Sequence, residues 1–290
     1  MDYWSIGINE VKGSWDYLFN SILNPSWDNY FYWLIGLSLF AYLLELIRPW
    51  RPNQSAIRKD FWLDAFYMFF NYFLFYVIGF AFFAKVSEVA IQNAIPSLGD
   101  NSITQWVGDL PWLSKLLLYF ILVDFIHWNV HRLLHRVPIL WEFHKVHHSV
   151  EEMGFAAHLR FHWMENVIYK SLQYFPLALI GGFDLEYVFL VHIIQTGIGH
   201  LNHANFVIPM GPLKYIFNSS EMHIWHHAHE IPEGKSGVNF GLSLSVWDYI
   251  FKTAHIPSDG KNIKLGFPGL ASFPKRFTTQ FVYPFWKKKG

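Results

Sequence analysis

From Tyr30 to Ile47 the chain is almost continuously apolar, interrupted only by Glu45 near its end. A second run extends from Ala65 to Ala84, with Asn71 as its one strongly polar residue. A third runs from Pro111 to about Trp128, with Lys115 near its entry and Asp124 near its exit. Each approaches the roughly 20 residues that a helix needs to cross a bilayer. Two shorter stretches, Val167 to Gly182 and Tyr187 to Gly199, are joined by Gly-Gly-Phe-Asp-Leu-Glu and predict a hairpin, re-entrant or packed inside a bundle. Core helices of a soluble all-α protein are the competing reading, and it has to explain Tyr30–Ile47 and Ala65–Ala84 together.

Composition sharpens the choice. Aromatics make up 20% of the 290 residues and charged residues only 15%, against about a quarter charged in soluble domains. Much of the surface therefore faces something other than water. A formal net charge of zero removes the electrostatic case for nucleic-acid binding. The absence of cysteine excludes a disulfide framework and any Cys-based zinc or iron–sulfur site. Basic residues follow the first span (Arg48, Arg51, Arg58, Lys59), recur at Arg132, Arg136, Lys145 and Arg160, and end the chain as Lys287–Lys289. The positive-inside rule then places these segments in the cytoplasm and the N-terminus outside. Trp4, Trp15, Tyr17 and Trp27 read as interfacial anchors, and Asp2, Glu10 and Asp16 argue against a signal peptide.

Sixteen histidines carry the chemistry. His131 and His135 are four apart on a helix continuing from the third span, which Pro138 breaks. His144, His147 and His148 follow as His-x-x-His-His, and His223, His226 and His227 repeat that spacing, with His200 and His203 upstream. Residues three and four apart share a helix face, so each motif points two or three imidazoles at one place. That is too many ligands for one four-coordinate ion, and imidazole suits zinc, copper, iron or nickel alike. From Pro111 to His131 a helix rises about 30 Å, the thickness of the hydrocarbon core, so the first motif emerges at the cytoplasmic boundary. Asp124, on the face of His127 and His131, is the candidate acceptor for the second N–H of a ligating imidazole. His127 is a candidate neighbour of the ligands. His158, His192, His229 and His255 are expected to be structural, and the role of His162 is open.

These residues resemble the fatty acid hydroxylase/sterol desaturase superfamily of membrane di-metal enzymes. The likeness runs through Asp124-Phe125, Trp128, His131-Arg132-x-x-His135, and Leu140-Trp141-x-x-His144-x-Val146-His147-His148-Ser149. It continues in Arg160-x-His162 with Glu165, where Trp163 replaces a usual proline, in His203-x-Asn205, and in His223-x-x-His226-His227. Asn239-Phe240-Gly241, Trp247-Asp248 and Phe251 close it, with Lys252 where a glycine is usual and His127 where an aromatic is usual. The resemblance covers roughly residues 110–255.

The resemblance implies that His131, His135, His144, His147, His148, His203, His223, His226 and His227 hold two Fe ions, which zinc can replace in a purified sample, with O2 as cosubstrate. His200 is an extra candidate. It implies hydroxylation or desaturation of a lipid: a fatty acyl chain, sterol, carotenoid or glyceryl ether. Electrons must come from an external donor, a ferredoxin or cytochrome b5-type protein, because the chain has no room for a flavin or haem domain. Phe66, Phe69, Phe70, Phe73 and the Tyr119–Phe125 face are candidate cavity walls, with simple lipid-facing packing the favoured role for most of them. The alternatives are a zinc-dependent membrane hydrolase or lyase and a metal transporter. The expected fold is an all-α integral-membrane bundle of about 4–5 membrane helices with a cytoplasmic, helical, histidine-rich cap. Its segments are residues 1–110 (interfacial and transmembrane helices), 111–260 (the di-metal catalytic domain) and 261–290 (a basic cytoplasmic tail), in a bacterial inner membrane or the endoplasmic reticulum.

Overall fold

The computed structural model describes residues 2–75, 81–95 and 101–285. In chain order the helices are α1 (Tyr3–Leu23), α2 (Tyr30–Ile47), α3 (Phe61–Phe69), α4 (Ala81–Ala94), α5 (Ser102–Gly108) and α6 (Trp112–Arg136). Then follow α7 (Pro138–His148), α8 (Trp163–Ile180), α9 (Leu185–His203), α10 (Ser220–His226), α11 (Val246–Ile250) and α12 (Phe277–Val282). Among the described residues there is no strand beyond two isolated bridges, Phe217 with Leu244 and Ala228 with Leu265, so the protein is all-α.

Local chemistry sets the boundaries. Asn29 caps α2 by accepting from the Phe31 N–H at 2.9 Å, filling one of the orphan donors of a helix start. Val137 is extended, as a residue before proline prefers, so α6 stops and Pro138 takes the first position of α7. α8 begins with a capping box: the His162 imidazole accepts from the Met164 N–H while Glu165 accepts from the His162 N–H.

Two described helices, α2 and α6, are long and apolar enough to cross a membrane. α2 turns Leu39, Phe40 and Leu43 outward, and α6 turns Leu113, Leu117 and Ile121 outward. The two shorter stretches form α8 and α9, which pack on α6 and not as a hairpin on each other. The expected run Ala65–Ala84 is not one regular helix over its described part: α3 ends at Phe69 and passes into a π-turn, Phe70–Leu74, while residues 76–80 lie outside the described set, as do Lys287–Lys289. The described part of the tail is folded onto the body. Phe277 packs against Phe66, Tyr67 and Phe70 at 4.7–5.1 Å between ring centroids, and Tyr67 donates to Gln280 at 2.9 Å.

α9 packs on α2 and α6, and α10 on α9. A 3₁₀ turn at Phe155–Leu159 lies between α3 and α9. Beneath it the basic segment after α2 becomes scaffold. Arg58 pairs with Asp64 at 2.6 Å, and Arg160 pairs with Asp64 at 3.0 Å and Asp60 at 3.1 Å. Arg58, Asp64 and Arg160 are buried, where such charges persist only when paired. Arg160 also donates to Ser149 at 2.9 Å, tying this network to the end of α7.

Candidate metal centre

Four helices deliver the histidines to one place. The last turns of α6 supply His131 and His135, α7 supplies His144, His147 and His148, the last residue of α9 is His203, and α10 with the residue after it supplies His223, His226 and His227. They sort into two nests, His131/His135/His144/His148/His226 and His147/His203/His223/His227, each with its nitrogens within 4.8 Å of one another. The nests adjoin: the His148 and His227 rings are 4.5 Å apart. The interleaving follows from helix period. In His144-x-x-His147-His148, the first and last residues face one nest and the middle one faces the other; in α10, His226 faces the first nest while His223 and His227 face the second.

Each nest has its proton positions set from outside. The Nδ1–H groups of His131, His147, His203 and His226 donate to the carbonyls of Phe240 (2.8 Å), Arg160 (3.1 Å), Gly199 (2.8 Å) and Val238 (2.8 Å). A carbonyl can only accept, and a neutral imidazole has one N–H. Nε2 of these rings is therefore a bare lone pair. Yet His203 Nε2 lies 3.4 Å from His147 Nε2, 3.0 Å from His223 Nε2, and the His131 and His144 Nε2 atoms are 3.2 Å apart. For His147 and His203, whose protons both lie on carbonyls, two lone pairs at that range repel unless a positive charge sits between them. Two nitrogens on one ion at about 2.0–2.1 Å stand roughly 3.0–3.4 Å apart. The Nε2 of His135 and the Nδ1 atoms of His223 and His227 are buried without a partner. Donor type, spacing and orphaned nitrogens fit two metal ions of the imidazole-binding kind.

Burial pushes the His147 imidazole down to about 3 and holds His144, His148, His203, His223, His226 and His227 well below the ordinary histidine range. These rings are neutral at pH 7, the form that ligates. The Glu165 carboxyl is buried beside the first nest. A cation in the nest favours the carboxylate form, which accepts the His144 Nδ1–H at 2.7 Å.

Two sequence expectations are corrected. Asp124 takes no proton from a ligand-type histidine. Its carboxylate accepts from the Ser243 and Leu244 N–H groups (3.0 and 3.2 Å) and from Trp247 Nε1 (3.0 Å), so it anchors the loop before α11. The carboxylate that does meet an imidazole is Glu165, whose place in a resembling motif was visible but whose partner was not. The candidate walls, for most of which simple packing is the favoured role, also lie elsewhere. Phe73 sits in a core with Leu18, Leu34 and Leu159, Phe66 and Phe70 pack on Phe277, and Tyr119 packs on Phe183. The cavity that reaches the nests, about 210 Å³, is lined instead by His127, Asn166, Tyr169, Lys170, Gln195 and neighbours.

His127 faces that cavity, stacked on Tyr169 at 4.5 Å, and its ring is 6.1 Å from His131. His200 stays out of both nests: its Nδ1 is 3.2 Å from His158 Nδ1 and its Nε2 is 3.2 Å from Ser38 Oγ. Gly199 accommodates His158, since a Cβ there would lie 2.1 Å from His158 Nε2. His162 is a cap. Asp248 accepts from Trp128 Nε1 and from the Phe240 and Gly241 N–H groups at 2.8–3.0 Å, holding the backbone whose carbonyl orients His131.

The fatty acid hydroxylase family model matches residues 116–253. An ornithine lipid hydroxylase of Rhizobium tropici is 31% identical over 63% of this chain and 54% of its own length. Human alkylglycerol monooxygenase is 34% identical over 50% of this chain and 32% of its own, and methylsterol monooxygenase 1-1 of Arabidopsis thaliana 28% over 49% and 47%. The chain thus spans about half or less of the length of these relatives. No solved structure matches it. Residues 116–253 of the chain are thus similar to the fatty acid hydroxylase family, whose motifs its histidines resemble.

Proposed function

We propose that this protein is a membrane-bound, non-haem di-iron oxygenase that hydroxylates or desaturates a lipid. The observation that carries the reading is the facing Nε2 lone pairs of His147 and His203, their protons held on backbone carbonyls, within two nests of buried imidazoles. In this reading His131, His135, His144, His148 and His226 hold one iron, and His147, His203, His223 and His227 the other. The two irons would supply the oxidising power that O2 chemistry on an unactivated C–H bond requires. For hydroxylation the balance is RH + O2 + 2 e⁻ + 2 H⁺ → ROH + H2O.

The protein's own residues do the rest. The carbonyls of Phe240, Arg160, Gly199 and Val238, with Glu165, fix ring orientation and raise ligand basicity. His127 and Tyr169 form the cavity wall nearest His131 and position substrate against the nests, which matters because a reactive oxidant attacks the nearest carbon. Electrons come from a separate donor, a ferredoxin or cytochrome b5-type protein. A second cavity, lined by His135, Trp141, His229 and Glu230, opens on the first nest and offers it a face. α2, α6, α8 and α9 with the α3 region form the membrane bundle, and the histidine nests lie on the cytoplasmic side of a multi-pass protein. The names of the three relatives above, a lipid hydroxylase and two monooxygenases, support the substrate class.

Elemental analysis of purified protein together with ¹⁸O2 labelling tests this. Two irons per chain and ¹⁸O in a lipid product are expected once a reductant is supplied. Zinc in both nests with no oxygen consumption would move the protein to the hydrolase reading. Lipidomics of cells with and without the gene then names the lipid class, as a gain of one oxygen or loss of two hydrogens.

A further inference from the structure

α8 and α9 pack on α6 rather than on each other, and the cavity at the nests lies between them. Its lining follows helical period on both sides. α8 contributes Glu165, Tyr169 and Gln173, and α9 contributes His203, Thr196 and His192; steps of four and seven residues stay on one helix face. Leu159, Phe161 and Leu242 add apolar wall. At about 1.5 Å per residue, His192 lies roughly 16 Å along α9 from His203. About 210 Å³ spread over that length makes a slender slot, with imidazole ligands at one end and His192 at the other.

His192 also borders a second space. A cavity of about 450 Å³ shares His192 and Lys170 with the slot, and Leu18, Tyr30, Tyr72 and Phe73 are among its walls, with Glu10. The His192 ring stacks on Tyr72 at 5.3 Å and lies 5.1 Å from Tyr30, and Tyr30 meets Tyr72 edge-on at 6.1 Å. Rings from α9, α2 and the π-turn after α3 therefore pack together where the two cavities meet. His192 is nonetheless exposed, and the area it exposes is the lining it gives to both. π-turns are frequent at functional sites, and this one serves both cavities. Asn71 donates to the Leu159 and Phe161 carbonyls at 2.9 and 2.8 Å and accepts from Asn166 at 3.1 Å, which fixes walls of the slot. The next residue, Tyr72, backs His192. The slot by itself falls below the roughly 300–1,000 Å³ of ordinary ligand pockets, and the two cavities joined fall within that range.

Resting on the oxygenase reading above, we propose that His192, backed by Tyr72 and Tyr30, is the end stop of the slot and sets how much unbranched lipid chain fits beyond the carbon held at the nests. The chain is held by burial of its methylenes, and the stop acts by sterics. A chain that reaches past His192 has to displace three packed rings. Taking the imidazole away joins the slot to the second cavity.

Native mass spectrometry of the full chain in detergent tests this, with straight-chain primary alcohols from decanol to docosanol as titrants. Each further methylene buried should raise affinity about fourfold, the equivalent of about 0.8 kcal/mol, up to a limiting length beyond which the rise stops. His192→Ala should move that limit to longer chains, and Tyr72→Ala should move it the same way by removing the backing. His192→Trp should move it to shorter chains, so the test stands if the alanine variants fail to fold. Wild-type affinity for decanol in a variant shows that its nest end is intact. A wild-type protein with no limiting length overturns the proposal, as does the same limit in wild type, His192→Ala and His192→Trp. Binding needs no turnover, so metal content of the same samples separates the two readings. Metal-free protein speaks against the nests, whereas loaded protein whose limit ignores the side chain at this position speaks against the end stop alone.

Discussion

His147 and His203, 56 residues apart, face each other Nε2 to Nε2 at 3.4 Å, while each donates its Nδ1–H to a carbonyl on the far side of the ring. Neither can offer the other a proton. A cation shared between them removes the repulsion, so replacing one ring should release one ion. His203→Ala is expected to lower the metal content from two ions per chain to about one, with oxygenation falling more than about 100-fold. Elemental analysis and product formation measure the two effects separately; full metal retention would exclude His203 as a ligand.

Asp248 on α11 and Asp124 on α6 are both buried carboxylates that bind the segment before α11, but they hold different parts of it. Asp248 binds the N–H groups of Phe240 and Gly241, next to the carbonyl that orients His131. Asp124 binds the Ser243 and Leu244 N–H groups. Each Asp→Asn change puts an amide donor against backbone donors and should cost about 1–3 kcal/mol. Asp248→Asn should also weaken metal binding in the first nest by about 10–100-fold. Asp124→Asn should lower thermal stability with both ions retained. A metal competition assay beside a melting curve distinguishes the two variants.

Lys252 stands where related motifs carry glycine, and its backbone is left-handed, φ 58°. That conformation costs a residue with a Cβ about 1–2 kcal/mol, and glycine returns roughly 0.5–1 kcal/mol of this as extra unfolded-state entropy. Lys252→Gly should therefore stabilise the protein by about 0.5–1 kcal/mol. Denaturant unfolding reads it out, with metal content unchanged.

His162 caps α8 by accepting from the Met164 N–H, and it donates to the Phe281 carbonyl at 3.0 Å. Burial holds it down at about 4, against an ordinary 6.5. Because the folded value is the lower, its contribution is complete above pH 6.5 and is lost as the pH falls toward 4, where the ring protonates and the cap fails. The contribution is on the order of 3 kcal/mol. His162→Asn, which caps without titrating, should flatten that part of the stability profile between pH 6.5 and 4. A melting series across this window would show an unchanged slope if His162 were uninvolved.

Much of the site was legible as spacing. His-x-x-His-His places three rings within a helical turn and a half, and Pro138 announces the break that lets α7 fold back beside α6. Tyr30–Ile47 and Trp112–Arg136 read directly as long apolar helices, because a run of apolar side chains leaves the backbone little alternative to bonding within itself. The described part of Ala65–Ala84 departed from a regular helix at Phe70–Leu74, since a π-turn has no apolar signature.

What the chain determined by itself was which residue types recur at helical period: nine imidazoles in tight motifs, set at the ends of apolar helices. Tertiary structure alone decided how those imidazoles divide between two nests, which carbonyl takes each Nδ1 proton, and that Glu165 rather than Asp124 meets a ring. It also decided that the cavity is lined by Leu159, Phe161, Asn166 and Tyr169 rather than by Phe66, Phe69, Phe70 and Phe73. The reason is range. Period acts over a few residues, whereas the partner of His131 is a backbone oxygen 109 residues away, and a carbonyl leaves no trace in the identity of its side chain.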